Sequence, residues 1–224
     1  MDGVRLRQVV IAAAELEPVA ERLRSELGLG EPFADPGVGE FGLHNAVFAL
    51  GDAFIEVIAP TRDGTAAGRW IERHGGDGGY MLIFQLDDLE GARQRVQDLG
   101  IRVVWQIDLP DISGTHLHPS DTRGALLSLD RPKPPEAWRW GGPGWEERSV
   151  PGELVAVTVG VREPAAVEEH WGQVLGVPPA QAGVRFDADP AEPGVTEFDV
   201  ALDGPRDSVE IGGVRFNFVS REAA

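Results

Sequence analysis

The sequence predicts an α+β protein of three βαβββ modules, and three observations carry that reading. A strand-like run rich in apolar residues is followed by an amphipathic helix-like run three times over. Each copy closes on Leu-Gly and an aliphatic residue, at Leu27-Gly28-Leu29, Leu99-Gly100-Ile101 and Leu175-Gly176-Val177. Glycine-bearing connections then join further apolar runs. The closing glycines lie 72 and 76 residues apart (28 to 100, then 100 to 176), a period too long for a solenoid and suited to one helix with several strands.

The first module spans 1–60. Leu6 to Ala13 reads as a strand, and the chain passes at Glu17-Pro18 into a helix whose Val19, Leu23 and Leu27 recur at every fourth position. Gly28 supplies the left-handed position that ends it. Two or three strands follow, most clearly Asn45 to Leu50 and Ala53 to Ile58, joined by the short connection Gly51-Asp52. Residues 61–79 form a linker whose Gly75-Gly76-Asp77-Gly78-Gly79 precedes a strand instead of opening a helix. It therefore reads as a hinge and not as a phosphate cradle.

The second module, 80–131, repeats the order. Tyr80 to Leu86 is a strand, Asp87-Asp88 a helix entry, and Leu89, Ala92, Val96 and Leu99 the apolar stripe, with strands near Arg102 to Ile107, Gly114 to His118 and Gly124 to Leu129. The third, 152–224, has a strand from Leu154 to Val161, then a helix from Pro164 with Val167, Trp171, Val174 and Leu175 on one face. Strands near Val184 to Asp187, Thr196 to Leu202 and Val214 to Val219 follow, the last after a Gly212-Gly213 turn. Between the second and third modules, 132–151 is rich in proline and carries Trp138, Trp140 and Trp145. Tryptophan is too apolar for a free linker, so a docked connector is expected, either a lid over a cavity or a segment packed on the outside of a sheet.

Composition narrows the function classes. The absence of cysteine excludes disulfides, thiolate catalysis and thiolate metal sites. Against 37 acidic side chains stand 20 basic ones, a formal charge of −17, which opposes a nucleic-acid partner. Met1 to Val10 contain no apolar export core and no run is long enough to cross a bilayer, so neither export nor membrane association is expected and the cytoplasm is the expected location.

Three stretches resemble the vicinal oxygen chelate superfamily, the glyoxalase, bleomycin-resistance and dioxygenase proteins, and within it the methylmalonyl-CoA epimerases. They are Gly68 to Gly75 (GRWIERHG), Leu82 to Leu89 (LIFQLDDL) and His116 to Leu129 (HLHPSDTRGALLSL). The likeness covers residues 4–60 loosely and 55–132 more fully. It implies that the first stretch is a linker helix and that the first two modules pair into a glyoxalase-like half-open barrel. The family's divalent metal is held by side chains from the first and last strands of each module, and those places fall on Gln8, Glu56, Met81 and Ser128. Only Glu56 is a good ligand for a hard cation, so the resemblance implies a dismantled metal site and no cofactor is expected.

Metal-assisted enolisation would lack its Lewis acid and the carboxylate that position 128 carries in the epimerases. Left on the expected concave face are Gln8, Glu56, Gln85 and Ser128, with His44 or Asn45 on the neighbouring strand. His116 and His118, two apart on a strand, share a face: they could chelate a transition metal, one could be a ligand hydrogen-bonding group, or both could sit on the outer face, and His118, in the place of the family's His-Pro histidine, is the better candidate to face the cavity mouth. Glu56, its pKa raised by an apolar barrel, with His118 or His44 as partner, is the candidate proton carrier; the bland alternative is a carboxylate merely paired with amides.

The function expected is a lyase or isomerase acting on a carbonyl- or carboxylate-bearing metabolite without the standard metal. The alternative is a non-catalytic drug-sequestering protein of the bleomycin-resistance type. The third module, unpaired in this scheme, is expected to meet its copy in a second chain as a homodimer.

Overall fold

The structure, a computed structural model, describes residues 3–188, 193–204 and 206–219; the extreme ends of the first and third modules lie outside them. The order is β1 (Val4–Ala12), α1 (Leu16–Leu27), β2 (Leu43–Leu50), β3 (Ala53–Pro60), α2 (Ala66–His74), β4 (Gly78–Leu86), α3 (Leu89–Asp98), β5 (Val103–Asp108) and β6 (Ile112–Leu117). Then come α4 (Pro119–Thr122), β7 (Leu126–Pro132), α5 (Trp145–Arg148), β8 (Glu153–Val161), α6 (Pro164–Leu175), β9 (Val184–Ala188), β10 (Gly194–Ala201), β11 (Val209–Ile211) and β12 (Val214–Val219). The protein is α+β. Among the described residues no helix is long and apolar enough to cross a membrane.

The three long helices form where the apolar spacing places them. Leu16, Val19, Leu23 and Leu27 are the buried stripe of α1, and Gly28 ends it at φ 71° with its N–H on the Arg24 carbonyl. The Asp88 carboxylate caps α3 by accepting the Gly91 N–H at 2.9 Å. A Cβ at position 91 would lie 2.1 Å from that carboxylate, so a larger residue there would make the Asp88 side chain shift. In α6, Pro164 occupies the first turn, and Val167, Trp171, Val174 and Leu175 are buried ahead of the left-handed Gly176.

Strand pairing differs between modules. The first strand runs parallel to the last in the first two: β1 lies on β3 with Gln8 opposite Phe54, and β4 lies on β7 with Met81 opposite Leu126. Antiparallel β2–β3, β5–β6 and β6–β7 pairs complete them. Where two or three strands were expected after α1 there are two, plus a single bridge from Phe33 to Val47. The third module departs from this plan, because β8 pairs in parallel with β9, and β10 with β12.

The chain divides into two compact units. One comprises the chain through Arg7, Met81–Arg139 and Ala156–Val195; the other comprises Gln8–Tyr80, Trp140–Val155 and the chain from Thr196 onward. Both draw on the third module. In the first unit α6 packs on α3 and α4. Its Trp171 donates Nε1–H to the Thr122 carbonyl at 2.6 Å and meets Phe186 edge-on at 5.0 Å. In the second unit β11 packs on α1. The connector contributes to each unit as well: Trp138 is buried in the first, and Trp145 stands edge-on to Phe54, 5.2 Å between centroids, in the second.

Candidate functional site

In the second unit a carboxylate is held between two amides. Gln8 on β1 and Glu56 on β3 project to one side of a parallel pair, and Asn45 comes from the antiparallel β2. Gln8 Nε2 donates to Glu56 Oε2 at 2.7 Å and Asn45 Nδ2 to Oε1 at 2.6 Å. Asn45 is itself oriented, because its Oδ1 accepts the Asp35 N–H at 2.8 Å. All three side chains are buried among the aliphatic residues of β1 to β3. Burial pushes the Glu56 carboxyl up to about 7; the bonds from Asn45 and Gln8 oppose the rise and the charge of Asp35 adds to it. His44 is half-buried opposite Ala59, and strand alternation turns it away from the side that Asn45 shares with Glu56.

In the first unit a second polar row lies across β4, β6 and β7. Met81 and Gln85 share a face of β4, Ser128 and Asp130 line up beside them on β7, and His116 stands opposite Ser128 on β6. The Ser128 hydroxyl donates to the Asp130 carboxylate. Met81 is buried. His116 stacks at a tilt on Trp105, 4.4 Å between ring centroids, and burial pushes its imidazole down to about 4, so it is neutral at pH 7. Gln85 accepts from Arg5 at 3.1 and 3.2 Å and also from Arg7.

His118 serves the backbone. Its Nδ1 accepts the Ser120 N–H at 3.2 Å as the cap of α4, with Arg102 Nη2 3.3 Å away. Arg102 also grips Asp121 at 2.7 Å and holds that carboxyl well below its usual range. The structure thus brings together Gln8, Asn45 and Glu56 in one unit, and Gln85, Ser128, Met81 and His116 on one face of the other.

Arg5, Arg7, Asp35 and Asp130 escaped the sequence reading. The signal for the arginines was present: two cations two residues apart in an apolar strand share a face, and burial of that face demands partners. Asp130 follows Ser128 by the same interval.

The donors do not suit the divalent ion that the resemblance implies. Glu56 has both oxygens bonded to amides, Ser128 gives its hydroxyl to Asp130, and Met81 supplies only a thioether. Among the described residues no group of three His, Cys, Asp or Glu side chains could hold a metal ion.

Modules whose first and last strands run parallel, with polar side chains carried on the strands themselves, define a glyoxalase-like protein. The model of the glyoxalase-like domain family matches residues 4–175, and the chain belongs to that family, the vicinal oxygen chelate fold. It is 30% identical over 135 residues to an ethylmalonyl-CoA/methylmalonyl-CoA epimerase of Cereibacter sphaeroides, covering 57% of this chain and 97% of that protein.

Among solved structures it resembles a methylmalonyl-CoA epimerase of Streptomyces coelicolor in complex with 2-nitronate-propionyl-CoA. The TM-score is 0.51 at 23% identity, over 60% of this chain and 98% of that one. The methylmalonyl-CoA epimerase of Mycobacterium tuberculosis gives a TM-score of 0.50 at 24% identity, over 57% and 87%. These structural likenesses establish the fold.

Proposed function

We propose that the protein is a small-molecule isomerase or lyase that moves a proton on a carbonyl- or carboxylate-bearing metabolite, with Glu56 as the proton carrier and without the family's divalent metal. The observation that carries this reading is the buried Glu56 carboxyl with its pKa raised to about 7. A base is most effective when its pKa lies near the working pH, because it is then both available and strong enough to take a proton from carbon. The named relatives make a 2-substituted malonyl-CoA thioester the first substrate to try.

The test is exchange of the substrate α-proton in deuterium oxide, followed by NMR. Glu56→Gln should abolish exchange while leaving substrate affinity within about twofold, and the wild-type rate should rise with pH through about 7 as the carboxylate forms. Retained exchange in Glu56→Gln removes this residue from the mechanism. Stoichiometric tight metal in the purified protein, or loss of exchange with chelator, removes the metal-independent part of the reading.

A second reading, sequestration without turnover, is favoured by one observation: both Glu56 oxygens already accept amide bonds, as a structural carboxylate would. Saturable stabilisation by cationic natural products in a thermal-shift screen, with no exchange on any thioester, would select it.

A further inference from the structure

The connector returns to the first unit just after β7, and a fork of donors holds it there. Arg7 Nη1 donates to the Pro135 carbonyl at 3.0 Å and Nη2 to the Glu136 carbonyl at 2.9 Å, while Gln85 Nε2 donates to Pro135 at 2.8 Å. Arg5 completes the cluster through Gln85 Oε1. Trp138 lies against the Arg7 guanidinium, 4.8 Å from carbon to ring centroid, and the two are 2% and 1% exposed.

Two carbonyl oxygens from successive residues, one on each arm of a single guanidinium, take the positions that a carboxylate fills in a bidentate pair. A carboxylate is the stronger partner, since a charge-assisted bond is roughly twice as strong as one to a neutral acceptor. Apart from the fork, the segment is held chiefly by the buried Trp138 and by the Lys133 N–H on the Asp111 carbonyl at 2.8 Å. Lys133, Pro134, Pro135 and Glu136 are exposed, and the Arg139–Asp111 ion pair beyond them lies at the surface, where such pairs add little.

We propose that Arg5, Arg7 and Gln85 form a carboxylate-binding subsite that residues 133–138 occupy as a strap in the ligand-free protein. A ligand carboxylate replaces the Pro135 and Glu136 carbonyls on Arg7, and the strap lifts with Trp138. The rest of such a ligand would find Ser128, Asp130 and His116 on the same strand face. This subsite makes no use of Glu56, so it stands or falls apart from the proposed proton transfer.

Malonate is the probe, and hydrogen exchange of the full chain is the readout. Malonate, and not chloride at equal ionic strength, should raise exchange at the amides of residues 136–139. Trp138→Ala removes the strap's anchor and lifts the population penalty on binding, so malonate affinity should rise by about tenfold. Arg7→Lys, which keeps the charge and loses the fork, should abolish the response. Arg5→Gln, at a half-buried position that tolerates change, should weaken malonate severalfold and gives the same answer if Arg7→Lys does not fold. Unchanged strap exchange at saturating malonate overturns the proposal. So does folded Trp138→Ala that binds malonate no better than wild type, or Arg5→Gln that binds it equally well.

Discussion

Glu56 and His116 are both shifted by burial, and their effects on stability run in opposite directions. The Glu56 carboxyl is raised from 4.5 to about 7, so the folded state holds its proton longer than the unfolded chain does. Its contribution is complete below 4.5 and is lost as pH rises to about 7. The His116 imidazole is lowered from 6.5 to about 4, so the unfolded chain takes up that proton first, and stability is lost as pH falls from 6.5 to about 4. Each shift corresponds to about 3 kcal/mol, and over the shared window the two largely cancel. The wild-type stability should therefore change little between pH 5 and 6.5 in denaturant titrations. Glu56→Gln should leave a profile that climbs with pH, and His116→Phe one that declines. The proton on Glu56 also has a preferred place. Asn45 is fixed as a donor by the Asp35 N–H, so the protonated oxygen is Oε2, where the Gln8 amide can turn its oxygen to accept.

At the scale of elements, the helices were the legible part. Their stripes, the Asp88 cap and the glycines at 28, 100 and 176 are local signals, and local physics settles them. Which strand pairs with which is a non-local matter, and the third module shows the limit: nothing in Leu154 to Val161 announces that β8 lies parallel to β9. The same limit governed the site. Alternation correctly set Gln85 on the face of Met81, yet what would fill that face was invisible, because the arginines come from β1 and the carbonyls from a connector about 50 residues further on. Trp171 reports on one such long-range join. Its bond to the Thr122 carbonyl ties α6 to the last residue of α4. Trp171→Phe should cost about 1–3 kcal/mol in chemical denaturation, by leaving a buried carbonyl without its donor. A loss below about 0.5 kcal/mol would mean that the carbonyl finds another partner.

For the whole molecule, the charge of −17 and the reuse of the third module bear on association. The dimer expected from sequence rested on an unpartnered apolar face, but the α6 stripe and β11 both pack inside their own chain. A two-fold contact through the rest of the third module remains a proposal. Light scattering on the eluting peak decides it: a mass near 24.1 kDa at micromolar concentration excludes the dimer, and twice that value supports it.

Because stretches distant in sequence are interleaved within each of the two units, backbone continuity matters less here than tertiary embrace. A protease that nicks the exposed Pro143-Gly144 bond would sever the polypeptide without freeing either fragment, since β11 stays seated on α1 and α6 on α3. The cut protein should migrate as two bands when denatured and as one species when native. Separately expressed halves should recognise each other as complementing fragments.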